Sequence, residues 1–202
     1  AKGNLRLRGN SSTGTAKDHM DFSYIEFGNS TPVACTGDIR TLVDYTDYEN
    51  ADTSGARFCG LFYGCSALTT APALPATTLA EHCYYDMFYG CTSLTTAPTL
   101  PATSLADFCY AHMFRGCTSL TAAPVLPATT LVNNCYSEMF YGCTSLNSIT
   151  MLATDISANN CLGNWVSGVA ATGTFYKNSA ATWENDGVVP SEWTVQNYSV
   201  TP

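Results

Sequence analysis

The chain has 202 residues, enough to bury a core as one domain or two small ones. Its 8 basic and 16 acidic residues leave a formal net charge of −8, which argues against binding to nucleic-acid backbones or to anionic membrane surfaces. No apolar run approaches the ~20 residues that a transmembrane helix needs. The chain starts at Ala1 rather than at methionine, so we expect a mature or trimmed fragment, whose lack of a signal sequence says nothing about export.

Residues 1–56 alternate apolar and polar side chains in three short stretches, which are residues 4–8, 22–27 and 32–35. Glycine and asparagine lie between them, a pattern that is typical of β-strands joined by turns. We interpret this segment as a β-rich N-terminal cap that covers the apolar end of the repeats that follow it.

Residues 57–163 contain a sequence repeat of constant length. A short pattern begins with an apolar residue and Phe, continues with either Tyr or Arg, and ends with Gly and Cys. It starts at the evenly spaced residues Leu61, Met87, Met113 and Met139. The first three units are close copies, whereas the fourth loses both prolines, as a terminal unit does when one side has no neighbour. This self-similarity predicts that the units stack on one another and share a continuous core.

Each unit combines a predicted strand, a proline-bearing turn and a predicted helix. We expect one strand from each repeat, near Leu68, Leu94, Leu120 and Leu146. The spacing of Leu105, Cys109 and Met113 predicts one face of a helix, and Gly116 follows where a left-handed C-terminal cap would lie. The period and these elements predict an α/β fold, a right-handed leucine-rich-repeat solenoid with a parallel sheet. We expect its core to include Leu94, Leu105, Cys109, Met113 and Leu120.

Residues 164–202 carry all three tryptophans of the chain, Trp165, Trp183 and Trp193. Residues 172–176 and 193–195 are predicted strands. We interpret the segment as a β-rich C-terminal cap in which the tryptophans are large apolar lids, and a tryptophan-rich carbohydrate site is the alternative.

The motif Gly-Cys-Thr-Ser-Leu-Thr, preceded by an aromatic residue, occurs within residues 88–95 and 114–121. It resembles the BspA-like bacterial leucine-rich repeats, and the resemblance extends over residues 61–163 as a 26-residue variant. The resemblance implies a surface protein of host-associated anaerobic bacteria, similar to adhesins that bind host proteins. Similar repeats also occur in large cell-surface and phage-borne proteins, and the family supplies no catalytic residues.

Eight of the ten cysteines form two columns that recur with the period of the repeat. One column is Cys65, Cys91, Cys117 and Cys143, and the other is Cys83, Cys109, Cys135 and Cys161. Neighbouring strands lie about 4.8 Å apart, so disulfides between successive units are geometrically possible. We favour the alternative of buried free thiols, because cysteine behaves as a small apolar side chain in a core.

We find no pattern that indicates an enzyme or a metal site. No Ser-His-Asp or Cys-His arrangement and no glycine-rich phosphate loop is present. Cys109 and His112 form half of a zinc-type motif, but Asp86 and Glu138 replace the histidine in the neighbouring units. We interpret that position as a variable surface column and expect no metal and no cofactor.

Candidate binding residues recur on the predicted surface. Tyr63, Tyr89, Arg115 and Tyr141 occupy one column, and Tyr84, Tyr110 and Tyr136 occupy another. Thr95, Thr96 and Thr121 lie on or beside the predicted strands. Tyrosine suits protein interfaces, but each tyrosine column can instead pack against itself from unit to unit. The replacement of tyrosine by Arg115 suggests solvent exposure, so we single out Tyr89 and Arg115.

The leading hypothesis is a non-catalytic binding or adhesion module on a bacterial cell surface. It would be extracellular and monomeric, and it would recognise a host or bacterial surface protein or a glycan over several repeats. The alternative is an architectural spacer of a larger surface or phage-borne protein. We expect neither nucleic-acid binding nor membrane insertion.

Overall fold

Backbone hydrogen bonds join each repeat to the next in the computed structural model, which describes residues 6–27, 31–185 and 187–198. The N–H groups of Tyr84 and Phe88 donate to the carbonyls of Cys109 and Met113 in the next repeat, at 2.9 Å in both cases. The same pattern follows between the second and third repeats and between the third and fourth. Successive repeats are therefore stacked in parallel with a constant offset.

The segments that make these bonds are series of overlapping turns, which we call the turn ribbons: residues 58–64, 82–90, 108–116, 134–142 and 160–168. The residues between the cross-repeat donors bond locally, so Met87 donates to the carbonyl of Tyr84 at 3.2 Å. Every fourth residue has a left-handed backbone, as at His82, Asp86 and Gly90, where φ is 57°, 54° and 70°. The last ribbon extends to Gly168, beyond the predicted end of the repeats at residue 163.

The helix predicted over residues 105–114 is wrong. In the described ranges the only helices are the short 3₁₀ segments Ile39–Leu42 and Tyr48–Asn50. A left-handed residue at every fourth position prevents the continuous right-handed backbone that an α-helix requires. The ribbon itself repeats every four residues, so Cys109, Met113 and Cys117 all point inward, as they would on one face of a helix.

The predicted strands are present only in part. The structure has β1 (Val33–Ala34), β2 (Leu68–Thr70), β3 (Ser148–Met151), β4 (Gly173–Asn178) and β5 (Trp193–Tyr198). β1 pairs with β2 and β3-β4-β5 form a second sheet, and all pairings are parallel. Leu94 and Leu120 lie outside these strands, contrary to the prediction, and only isolated bridges such as Thr70–Thr96 remain in the middle repeats. Prolines at 98, 101, 124 and 127 lack the N–H that a ladder needs.

The flanking segments continue the stack at both ends. At the N-terminus, the N–H groups of Ile25 and Val33 donate to carbonyls of Leu61 and Ala67, at 2.8 Å in both cases. Residues 22–27 do not form the predicted strand, and residues 4 and 5 lie outside the described residues. Within the described residues of the predicted β-rich N-terminal cap, 6–27 and 31–56, β1 is the one strand. In the C-terminal segment both predicted strands are present, as parts of β4 and β5, although β4 begins one residue later than predicted.

The core is a set of columns that run through the stack. Rings of Phe62, Phe88, Phe114 and Phe140 stack with centroids 5.5–5.7 Å apart, and Trp165 follows Phe140 at 6.2 Å. Leu94, Cys109, Met113 and Leu120 are fully buried, as predicted, whereas Leu105 is only partly buried. Stacking thus buries side chains that a single repeat would leave exposed.

We expect Leu120→Ala to lower the free energy of unfolding by about 2–5 kcal/mol, because it leaves a cavity in a column closed on both sides. Urea denaturation of the variant measures this loss. The exposed neighbour Thr121 provides the control, since Thr121→Ala should change stability by less than about 0.5 kcal/mol. A loss below about 1 kcal/mol for Leu120→Ala would contradict the burial of this column.

Candidate functional site

The column of Tyr63, Tyr89, Arg115 and Tyr141 lies on the outside of the turn ribbons. Each of these residues directly follows a buried phenylalanine. The side chain of the phenylalanine points into the core, and the side chain after it points outward. Tyr63 and Tyr141 are 40% and 38% exposed, and Tyr89 and Arg115 are partly exposed. The structure therefore brings together these four residues that the sequence singled out.

Within the column, aromatic and cationic groups cover one another. The rings of Tyr63 and Tyr89 stack with centroids 4.7 Å apart and an angle of 10° between their planes. The guanidinium carbon of Arg115 lies 5.7 Å from the ring centroid of Tyr89 and 4.5 Å from that of Tyr141. The ring faces inside the column are thus in use for stacking and cation–π contacts, which leaves ring edges and hydroxyls for a partner.

A charged cluster accompanies the column. Arg115 forms an ion pair with Glu138, and His112 lies 3.2 Å from Asp86 through Nδ1 and 3.9 Å from Glu138 through Nε2. Asp86, His112 and Glu138 occupy equivalent left-handed positions in successive ribbons, which aligns their side chains in a row. Because Glu138 pairs with Arg115, the cluster holds the guanidinium in place between the two tyrosines.

The threonines Thr95, Thr96 and Thr121 are exposed but belong to another part of the repeat. They follow the buried leucines Leu94 and Leu120 rather than the turn ribbons. Among the described residues, no hydrogen bond joins their side chains to the tyrosine–arginine column. They form a second, uncharged surface.

The second tyrosine column is not a surface. Tyr84, Tyr110 and Tyr136 are fully buried, and their rings stack with centroids 5.7 and 6.0 Å apart. Self-packing from repeat to repeat is therefore the correct interpretation of this column. The two columns look alike in sequence, and only the direction of the ribbon separates them.

All three histidines meet around Tyr85, although the sequence places them in unrelated positions. The rings of His19 and His82 stack with centroids 4.3 Å apart, and Tyr85 lies 5.7, 5.6 and 5.0 Å from His19, His82 and His112. The pKa of His82 is lowered mainly by the burial of its ring, and the neighbouring His19 lowers it further. No group of three or more His, Cys, Asp or Glu side chains in the described part of the chain could hold a metal ion.

All ten cysteines are free thiols, and nine of them are buried in the interior of the protein. The Sγ atoms of Cys91, Cys117 and Cys143 donate to phenylalanine carbonyls of the preceding repeat at 3.0–3.1 Å. Burial raises the pKa of Cys83 and of Cys135 to about 12, so neither thiol is poised for nucleophilic chemistry. Both columns are structural, and Cys109 and His112 do not form a joint site, since His112 contacts Asp86 instead.

The three tryptophans are engaged in the structure of the C-terminal segment. Trp165 and Trp193 are buried, and Trp183 packs against the core. Each indole N–H donates to a backbone carbonyl, and Lys177 lies over the ring of Trp183 at 5.0 Å. These contacts favour the interpretation of the tryptophans as lids over that of a carbohydrate site.

Comparison of the chain with protein-family models, with curated proteins and with solved structures finds no match in any of the three. In the part of the chain that the structure describes, there is no helix with the length and apolar character to cross a membrane.

We expect all ten thiols to react with a thiol reagent in denaturant without reductant, because every cysteine is free in the structure. In the native protein only Cys35, which is partly exposed, should react quickly. A colorimetric thiol titration measures both numbers. A denatured count of two or fewer would show that the columns are bridged by disulfides.

We expect stability to fall with decreasing pH through the titration of His82. Its folded pKa lies below the ordinary value of 6.5, so as the pH falls below that value the unfolded chain takes up a proton that the folded protein resists. Thermal midpoints measured between about pH 5 and 8 should show this slope. His82→Asn should flatten it, and asparagine already occupies the equivalent left-handed positions 134 and 160. An unchanged slope in the variant would assign the effect to other groups.

Proposed function

We propose that this chain is a non-catalytic binding module of the BspA-like leucine-rich-repeat type, carried on a bacterial cell surface, which recognises a protein partner across several repeats. The observation that carries the proposal is the outward-facing column of Tyr63, Tyr89, Arg115 and Tyr141, in which the two outer tyrosines are exposed and the two middle residues are partly exposed. Tyrosine and arginine are the residue types that dominate binding energy at protein interfaces.

The geometry of the column favours a protein over a glycan. Sugars bind aromatic residues mainly through open ring faces, but in this column the faces between neighbours are occupied. Ring edges, hydroxyls and a paired guanidinium can instead donate and accept hydrogen bonds along an extended segment. The side chains of the column already contact one another, which reduces the rotamer freedom that they lose when a partner docks.

An extracellular location suits the interior of the protein. Nine of the ten cysteines are buried, and burial raises their pKa values, as for Cys59, Cys135 and Cys143 to about 12. The thiolate is the form that oxidants attack, so such thiols resist oxidation outside the cell.

The stacked repeats also support the proposal of a solenoid, in which the turn ribbon takes the place that a helix would have.

A binding array of host matrix proteins, bacterial surface proteins and mucin glycans tests the proposal. We expect a protein ligand, and we expect Tyr89→Ala/Arg115→Ala to weaken its binding at least about tenfold, equivalent to about 1.4 kcal/mol. Tyr89→Phe keeps the ring stack and removes one hydroxyl, so it separates hydroxyl recognition from a change in the column.

Thr95→Ala/Thr121→Ala is the matched control, because it alters two exposed residues outside the column. Circular dichroism and the thermal midpoint verify that each variant is folded. Undiminished binding by the tyrosine–arginine variant would show that the ligand does not bind at this column and would favour the threonine surface as the binding site. The absence of any ligand in the array would favour the spacer, for which the continuous core of stacked columns is sufficient.

A further inference from the structure

The strand β5, Trp193–Tyr198, is an open edge at the C-terminal end of the stack. The sheet order is β3-β4-β5, so β5 pairs with β4 on one side and, among the described residues, with no strand on the other. Every residue of β5 after Trp193 is exposed. An edge of this kind presents backbone N–H and C=O groups that can pair with another strand.

One column of core residues ends at this open edge of the sheet. Ile149, Phe175 and Val195 are paired in register across the three strands. Ile149 and Phe175 are completely buried, whereas Val195, the last of the column, is 37% exposed. Val195 therefore lies in a core position that, among the described residues, lacks the strand neighbour on its outer side that Ile149 and Phe175 have.

The edge also lacks the features that usually prevent strand pairing. β5 reads Trp-Thr-Val-Gln-Asn-Tyr and contains no proline and no charged residue. Natural edge strands are usually protected by lysine, proline, a bulge or a covering loop. None of the first three is present in this strand, and no described segment pairs with its outer side.

In the residues that the structure describes, the opposite end of the stack does not offer a matching edge. Its outermost strand, β1, has two residues and pairs irregularly with β2. Head-to-tail association would therefore join a six-residue edge to a two-residue edge. Pairing of β5 with the β5 of a second copy joins two equal edges, which favours a closed two-fold dimer.

We propose that two copies of this chain associate through antiparallel pairing of their β5 strands, with Val195 of each copy near the two-fold axis. The pairing joins the two sheets into one and covers the exposed end of the core column in both copies. This inference is independent of the proposed ligand surface, because the tyrosine–arginine column lies on the ribbons rather than on the sheet edge. It replaces the expectation of a monomer.

Light scattering after size-exclusion chromatography, over a series of protein concentrations, tests the proposal. We expect the dimer mass to be approached as the concentration rises, and we expect Val195→Lys to yield the monomer at all concentrations. Val125→Lys is the matched control, since Val125 is 46% exposed and lies outside every strand. Monomer mass for the unaltered chain would overturn the proposal, as would a mass that grows without limit, which indicates head-to-tail assembly.

A second variant keeps the test decisive if Val195→Lys loosens β5. Residues directly opposite in an antiparallel pair have Cα atoms about 4.5–5.5 Å apart, within the range of a disulfide. Val195→Cys should therefore cross-link two chains under oxidised glutathione, while Val125→Cys should not. Equal cross-linking of both variants, or none by Val195→Cys, would contradict pairing through β5.

Discussion

The hydrogen bonds between turn ribbons are the interaction on which the rest of this structure depends. Alternate residues donate their N–H groups to the next repeat, and the residues between them donate within their own turn, as Tyr89 does to Asp86. In residues 82–90 every N–H is thereby used without a helix and without a regular strand ladder. The constant offset between donor and acceptor, as from Tyr84 to Cys109, sets the register of the whole stack.

This register explains why the inward columns are uniform and the outward ones vary. A phenylalanine that stacks on phenylalanines above and below must keep its size, because cores tolerate neither cavities nor excess volume. Outward positions have no such constraint, so aspartate, histidine and glutamate alternate at residues 86, 112 and 138. The left-handed backbone adds one restriction, since glycine occupies the last position of each ribbon, at residues 64, 90, 116, 142 and 168.

The same stacking governs what the molecule can offer a partner. A side chain that recurs in every repeat packs against its equivalents in the neighbouring repeats. The faces of Tyr63, Tyr89 and Tyr141 that point along the column are therefore occupied. Recognition must then rely on edges, hydroxyls and the positions where the pattern changes, such as Arg115 with Glu138. The ends of the stack differ, because there a column such as that of Ile149, Phe175 and Val195 has no further strand member among the described residues.

The sequence by itself determined the period, the stacking of the repeats, the two cysteine columns and the buried leucines at 94 and 120. Each of these follows from residue identity at a fixed spacing. Only the tertiary structure decided that the apolar spacing of four residues belongs to a turn ribbon, because a helix and this ribbon place the same side chains inward. It also decided that Tyr84 is buried and Tyr63 exposed, and that His19 stacks on His82. These outcomes depend on the backbone direction at each ribbon residue and on contacts between distant segments, which no local spacing encodes.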